Sequence, residues 1–213
     1  MFIDSTEIDY SLLGRAMEFY KAQGYTSFEA PWMVRPNISN ITLPDQSAAF
    51  IVSAADGQYK HLVGSAEQGF LEMLADDRLS EDEYYVSCTP CFRRGDIQYT
   101  YDANGYPDSI MNQETFMKVE LSMATQNPSN QAWKRVLLAD ALQFLEHLGI
   151  ADVKVFNDLT DTSADIMAFD SSANRLIELG SYGVREIKCN DGATLYAHYG
   201  TGVALPRLQR IYK

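Results

Sequence analysis

The sequence predicts an α+β fold, an antiparallel β-sheet flanked by helices, and three observations carry that expectation. Short apolar runs of strand composition outnumber helical ones, most are joined by hairpin-length turns, and helices do not alternate with strands as in a βαβ repeat. No repeat, low-complexity tract or Gly/Ser/Pro linker divides the chain, so residues 1–213 are expected to form a single domain.

The elements follow in order. Ile8, Leu12, Leu13, Ala16, Met17 and Tyr20 fall at helical spacing, and Gly24 supplies the stop for a helix over 8–23. Residues 28–34 read as extended, with Pro31 marking an edge, a bulge or an interface. Residues 35–48, with Pro36, Asn37, Asn40, Pro44 and Asp45, have loop composition. The runs 49–54 and 59–63, joined through Asp56-Gly57, predict a hairpin. Ser65 is placed to cap a compact helix that ends near Ala75. Strands are predicted over 83–93 and 115–124, with a long polar loop over 95–113 between them. The clearest amphipathic helix covers 131–148 and stops at Gly149. Strands follow at 153–157, 166–169, 176–179 and 195–199, and a last short helix is expected to begin near Val203.

Composition narrows the function classes. Seventeen basic against 29 acidic side chains give a net charge of −12, which opposes default binding to tRNA, DNA or an anionic membrane. No run approaches the roughly 20 apolar residues of a membrane span, and the acidic N-terminus lacks the pattern of a secretory signal. Three cysteines do not make a disulfide framework, so a cytoplasmic location is expected. Cys88 and Cys91 form a C-x-x-C. It lies on a strand pattern rather than at a helix start, and Cys189 with three scattered histidines offers no zinc set.

Three segments mix apolar strand residues with charges that are costly to bury without a partner or ligand. In the first, Cys91-Phe92-Arg93-Arg94 is followed across the polar loop by Phe116-Met117-Lys118-Val119-Glu120. An arginine there suits a phosphate and an aromatic ring suits a base, although Arg93 and Glu120 pairing on a solvated face fits the same residues. In the second, Glu178 precedes Gly180, Ser181 and Gly183, residues suited to close ligand approach beside a carboxylate for a metal or an amine. In the third, Gly200 and Gly202 lead from a strand toward Arg207, a combination that suits an anion.

In order and wording these segments resemble the class II aminoacyl-tRNA synthetases, nearest to the seryl branch. The resemblance implies an amino-acid-activating ligase that uses ATP and Mg2+. It implies that Arg93 contacts the α-phosphate, Phe116 underlies adenine, and Gly202 and Arg207 form the third motif with Arg207 on the γ-phosphate. Glu178 would hold the ATP-bound magnesium. Glu67, in Ser65-Ala66-Glu67, and Glu120 would receive the amino-acid ammonium, with Ser181 and Gly183 lining the same subsite. Residues 8–34, with Pro31, match the first motif and imply a homodimer interface. The chain departs from the pattern at Gly95, where the family has a glutamate, with Asp96 adjacent. No tRNA-binding domain is expected, so the acceptor is open: tRNA, a carrier protein or a small molecule. A non-catalytic sensor of ATP or amino acid, and an asparagine-synthetase-like amide ligase, remain alternative expectations.

Overall fold

The computed structural model describes residues 8–43, 48–53, 57–94, 113–172 and 174–212. Gly95, Asp96 and most of the predicted polar loop lie outside the described residues.

The helix α1 (Tyr10–Ala22) starts at Asp9, whose carboxylate accepts from the Leu12 N–H at 2.8 Å. Its buried stripe is Leu12, Leu13, Ala16 and Tyr20. The chain then pairs briefly as β1 (Thr26–Ser27), turns away at Pro31 and pairs again as β2 (Met33–Val34). Of the extended segment expected over 28–34, only Met33–Val34 is strand, and β1 lies just before it.

A helix occupies part of the stretch expected as loop. α2 (Pro36–Thr42) has proline at its first position, where the missing N–H costs nothing, and it buries Ile38 and Ser39. β3 (Ile51–Ser53) and β4 (Tyr59–Leu62) form the expected hairpin, and β2 adds to β4 in a small sheet ordered β2-β4-β3. α3 (Ala66–Ala75) follows.

The main sheet is built from β5 (Tyr84–Phe92), β6 (Thr115–Thr125), β7 (Val153–Asn157), β8 (Ser163–Asp170), β9 (Arg175–Lys188), β10 (Thr194–Ala204) and the two-residue β1. Its order is β1-β5-β6-β10-β9-β8-β7, and all pairs are antiparallel except the edge pair β1–β5. β9 and β10 run well past their predicted ends, straight through Gly180, Gly183, Gly200 and Gly202. The register shifts at Gly202 in β10 and at Leu179 in β9 are the bulges that allow this. The last helix, α5 (Arg207–Ile211), begins at Arg207 and not near Val203, because β6 holds β10 in the sheet through Ala204.

The predicted helix over 131–148 forms as a π-helical turn (Trp133–Leu137) that continues into α4 (Leu138–His147). With α1 it covers one face of the sheet. Leu13, Tyr20, Leu137 and Phe144 pack there on Val119, Leu121, Ile166 and Tyr182. On the opposite face, among the described residues, α3 covers one end, where Phe70, Leu71 and Leu74 meet Tyr85, Ala124, Ile187 and Ala197. The charged residues gather on the part of that second face that no described helix covers.

Candidate active site

Side chains alternate across a strand, so positions two apart share a face. Phe116, Lys118 and Glu120 on β6 therefore point the same way, as do Ser181, Gly183 and Arg185 on β9. The register aligns them: Thr201 lies opposite Glu120, and Tyr199 lies opposite Gly183. All occupy the face that α3 half covers, and the first turn of α3 contributes Ser65 and Glu67 from above.

The charges on this face are paired within the protein. Lys118 Nζ lies 2.8 Å from Glu120 Oε2, with both side chains almost fully buried. Ser65 occupies the helix N-cap position as expected, but its hydroxyl caps no backbone group. Instead it donates to Glu120 Oε2 at 3.0 Å and accepts from Lys118 Nζ at 3.2 Å. Glu120 Oε1 is buried without a hydrogen-bond partner. Glu67 pairs with Arg185 Nε at 3.2 Å, and the Arg185 guanidinium lies 5.0 Å from the centre of the Tyr199 ring. Burial pushes the Glu67 carboxyl up to about 7, with Arg185 opposing the rise. Burial raises Glu120 as well, opposed by Lys118.

At the other end of the face, Arg207 Nη1 lies 3.1 Å from Glu178 Oε1 and also donates to the Glu178 carbonyl. Asp165 on β8 stands beside them, hydrogen-bonded to Ser181, and its pKa is raised by burial and by the Glu178 charge. Two neighbouring carboxylates that repel one another offer hard oxygen ligands for a divalent cation such as Mg2+. The Leu205 N–H donates to the Met117 carbonyl at 2.9 Å, which sets the start of α5 beside the strand that carries Phe116. Arg93 is not paired with Glu120. Its Nε donates to the Gly64 carbonyl at 2.9 Å, and its guanidinium lies 5.4 Å from the centre of the Phe116 ring.

The glycines serve a different purpose from the close ligand approach expected of them. A Cβ on Gly200 would lie 2.5 Å from the Tyr182 ring, and one on Gly202 would lie 2.7 Å from the Tyr20 ring, both core tyrosines. A Cβ on Gly183 would meet the Tyr199 hydroxyl at 2.7 Å. These positions lack side chains because tyrosines fill the space. Pro31 packs its carbonyl against α3 at Gly69, and Trp32 and Met33 beyond it are exposed.

Arg185, Lys118, Asp165 and Tyr199 were not among the candidate site residues. Lys118 and Arg185 were legible, since each stands two positions from an expected site residue on an alternating strand. Asp165 and Tyr199 join only through the strand pairings. Cys88 and Cys91 alternate across β5 and, with Cys189, are free thiols. His198 is buried, with Nδ1 accepting from the Trp133 N–H at 3.4 Å, and burial lowers its pKa to about 4. His198 lies under the helix-covered face, whereas Cys91 is buried beside Lys118, Glu120 and Arg93, and burial raises its thiol pKa.

No family model matches the chain. In sequence, the serine–tRNA ligase of Nocardioides sp. is 30% identical over 148 residues, 68% of this chain and 34% of that protein. The serine–tRNA ligase of Thermotoga maritima is 29% identical over 211 residues, 88% of this chain and 48% of that protein. In fold, a seryl-tRNA synthetase from Pyrococcus horikoshii, complexed with ATP, aligns with a TM-score of 0.75 at 18% identity, covering 96% of this chain and 50% of that one. The chain thus spans between a third and a half of the length of these proteins.

Proposed function

The chain is a class II aminoacyl-tRNA-synthetase catalytic core, and from that premise we propose that it activates an amino acid with ATP, forming an aminoacyl-adenylate. The observation that carries this reading is one sheet face on which Phe116, Lys118, Glu120, Ser181, Glu178 and Arg207 gather, with Arg93 against Phe116 and Glu67 above. The amino-acid carboxylate attacks the α-phosphorus of ATP. A C–O–P bond forms, the bond to the β-phosphate oxygen breaks, and pyrophosphate leaves with its electron pair. Such displacement needs positioning and charge neutralisation more than covalent help.

In this reading Arg93 leaves the Gly64 carbonyl for the α-phosphate, and adenine takes its place over Phe116. Arg207 turns from Glu178 to the γ-phosphate. Ser181 supplies a hydroxyl contact from β9, while Gly202, its carbonyl taken by the Tyr20 hydroxyl, sets the bulge that carries the chain toward Arg207. Glu178, once released by Arg207, and Asp165 would hold Mg2+, which when bound would neutralise phosphate charge. Glu67 and Glu120 receive the α-ammonium, with Gly183 beneath. Residues 1–213 act as one catalytic domain. A homodimer forms across the Pro31 edge, where exposed Trp32 and Met33 offer apolar surface. The three free cysteines support a cytoplasmic setting, and among the described residues no helix is long and apolar enough to cross a membrane. The acceptor is one that does not rely on a basic surface, given the net charge of −12.

The test is ATP–pyrophosphate exchange with each of the twenty amino acids and Mg2+. Exchange stimulated by one or a few of them is expected. Arg93→Ala and Arg207→Ala should each lower it about 100- to 1,000-fold while leaving the fold intact. Wild-type exchange in either variant sinks these roles. ATP binding without exchange points to the sensor alternative, and ammonia-dependent AMP release to amide formation.

A further inference from the structure

Each carboxylate available to a substrate ammonium is already matched by a cation of the protein's own, Glu67 by Arg185 and Glu120 by Lys118. An amino acid with a neutral side chain adds an ammonium to this balanced group. Its own negative charge, the α-carboxylate and then the phosphodiester of the adenylate, faces the α-phosphate side of the site rather than this group. A second carboxylate, on the substrate side chain, would meet the one cation of this group that is not fully engaged.

Arg185 is built to receive it. Its guanidinium is held against the Tyr199 ring, and only its Nε is engaged, by Glu67. Among the described residues no hydrogen bond uses its terminal nitrogens. A guanidinium fixed on a ring with its terminal N–H groups free presents a fork that matches a carboxylate. Glu120 Oε1, buried and without a partner, meanwhile offers an acceptor for the ammonium that need not displace Lys118. Arg185 lies two residues beyond Gly183 on the same face, on the side of the site away from Arg207 and Glu178.

Resting on the reading that this site activates an amino acid, we propose that Arg185 determines specificity and that the substrate is a dicarboxylic amino acid. The side-chain carboxylate sits on Arg185 and the α-ammonium between Glu67 and Glu120. Pyrophosphate exchange and calorimetric titration, each with aspartate, glutamate, serine, alanine and glycine, test this on the wild type and on Arg185→Gln. Glutamine keeps a hydrogen-bond donor for Glu67, and melting temperatures check that the variant folds.

The wild type should favour aspartate or glutamate over the neutral amino acids in both assays. Arg185→Gln should lower kcat/KM for the acid by at least about 100-fold, mainly through KM, and narrow the gap to serine. Exchange driven by serine, alanine or glycine but by neither acid overturns the proposal and leaves amino-acid activation standing. Arg185→Gln without effect on acid binding or exchange also overturns it. An acid that binds in an Arg185-dependent way without exchange overturns activation and leaves the subsite standing. Neither binding nor exchange with either acid overturns the proposal.

Discussion

At Glu120 a carboxylate is buried with one oxygen shared by Lys118 and Ser65 and the other unmatched. Removing one member of a buried ion pair strands the other, at a cost of about 3–5 kcal/mol. Lys118→Met should therefore destabilise the fold by about that amount, and Lys118→Met with Glu120→Gln should recover most of the loss in denaturant unfolding. Glu67 makes a pH-dependent contribution. Its carboxyl ionises at about 7 when folded against an ordinary 4.5, so between those values the native state holds a proton that the unfolded chain has released. The associated stability is complete below about 4.5 and is lost as pH rises through about 7. Glu67→Gln should remove that slope from stability measured against pH. Amino-acid affinity should move the opposite way, rising through the same window because the ammonium needs the carboxylate, and calorimetry at several pH values reads it.

At the scale of elements, glycine substitutions separate two kinds of position. Gly14 lies in α1 with nothing within 4 Å of an added Cβ, so Gly14→Ala should stabilise by about 0.5–1 kcal/mol. Gly202→Ala drives a methyl into the Tyr20 ring and should destabilise by about 1–3 kcal/mol, read by thermal unfolding. The sequence showed that these strand glycines admit something close to the backbone, but not that it is a tyrosine from a distant element. α1, α3, the hairpin, β5 and β6 were legible because periodicity and turn residues agree there. α2 was missed because Pro36 counted as a loop residue, although proline suits the first turn of a helix. The reach of β9 and β10 was hidden because a bulge lets glycines continue a strand, and a bulge depends on its partner's register. Lys118 and Arg185 could be assigned to the site face by alternation alone, whereas Asp165 could not, since nothing local ties β8 to Glu178.

Among the described residues, the molecule combines a face covered by α1 and α4, which stabilises the sheet, with a face that α3 covers at one end and that carries the charges. In and beside the small β2-β4-β3 sheet, Trp32, Met33, Ile51 and Tyr59 are exposed, large apolar side chains of the kind that mark interaction surfaces when they cluster. Sedimentation should find a dimer, and Trp32→Asp should shift it toward monomer with the fold retained; a wild-type monomer at micromolar concentration removes the dimer reading. The Tyr20 hydroxyl donates to the Gly202 carbonyl at 3.1 Å while its ring fills the space beside Gly202. That contact joins α1 to β10, a strand already bonded along both edges to β6 and β9. Amide hydrogens of β10 over 196–200, where both edges are paired, should thus exchange with solvent deuterium only when the entire domain opens, making His198 and Tyr199 among the slowest to label. The central strand of the site then behaves as a fixed template, and a change of substrate must come from replacing side chains on it and its neighbours rather than from bending the backbone.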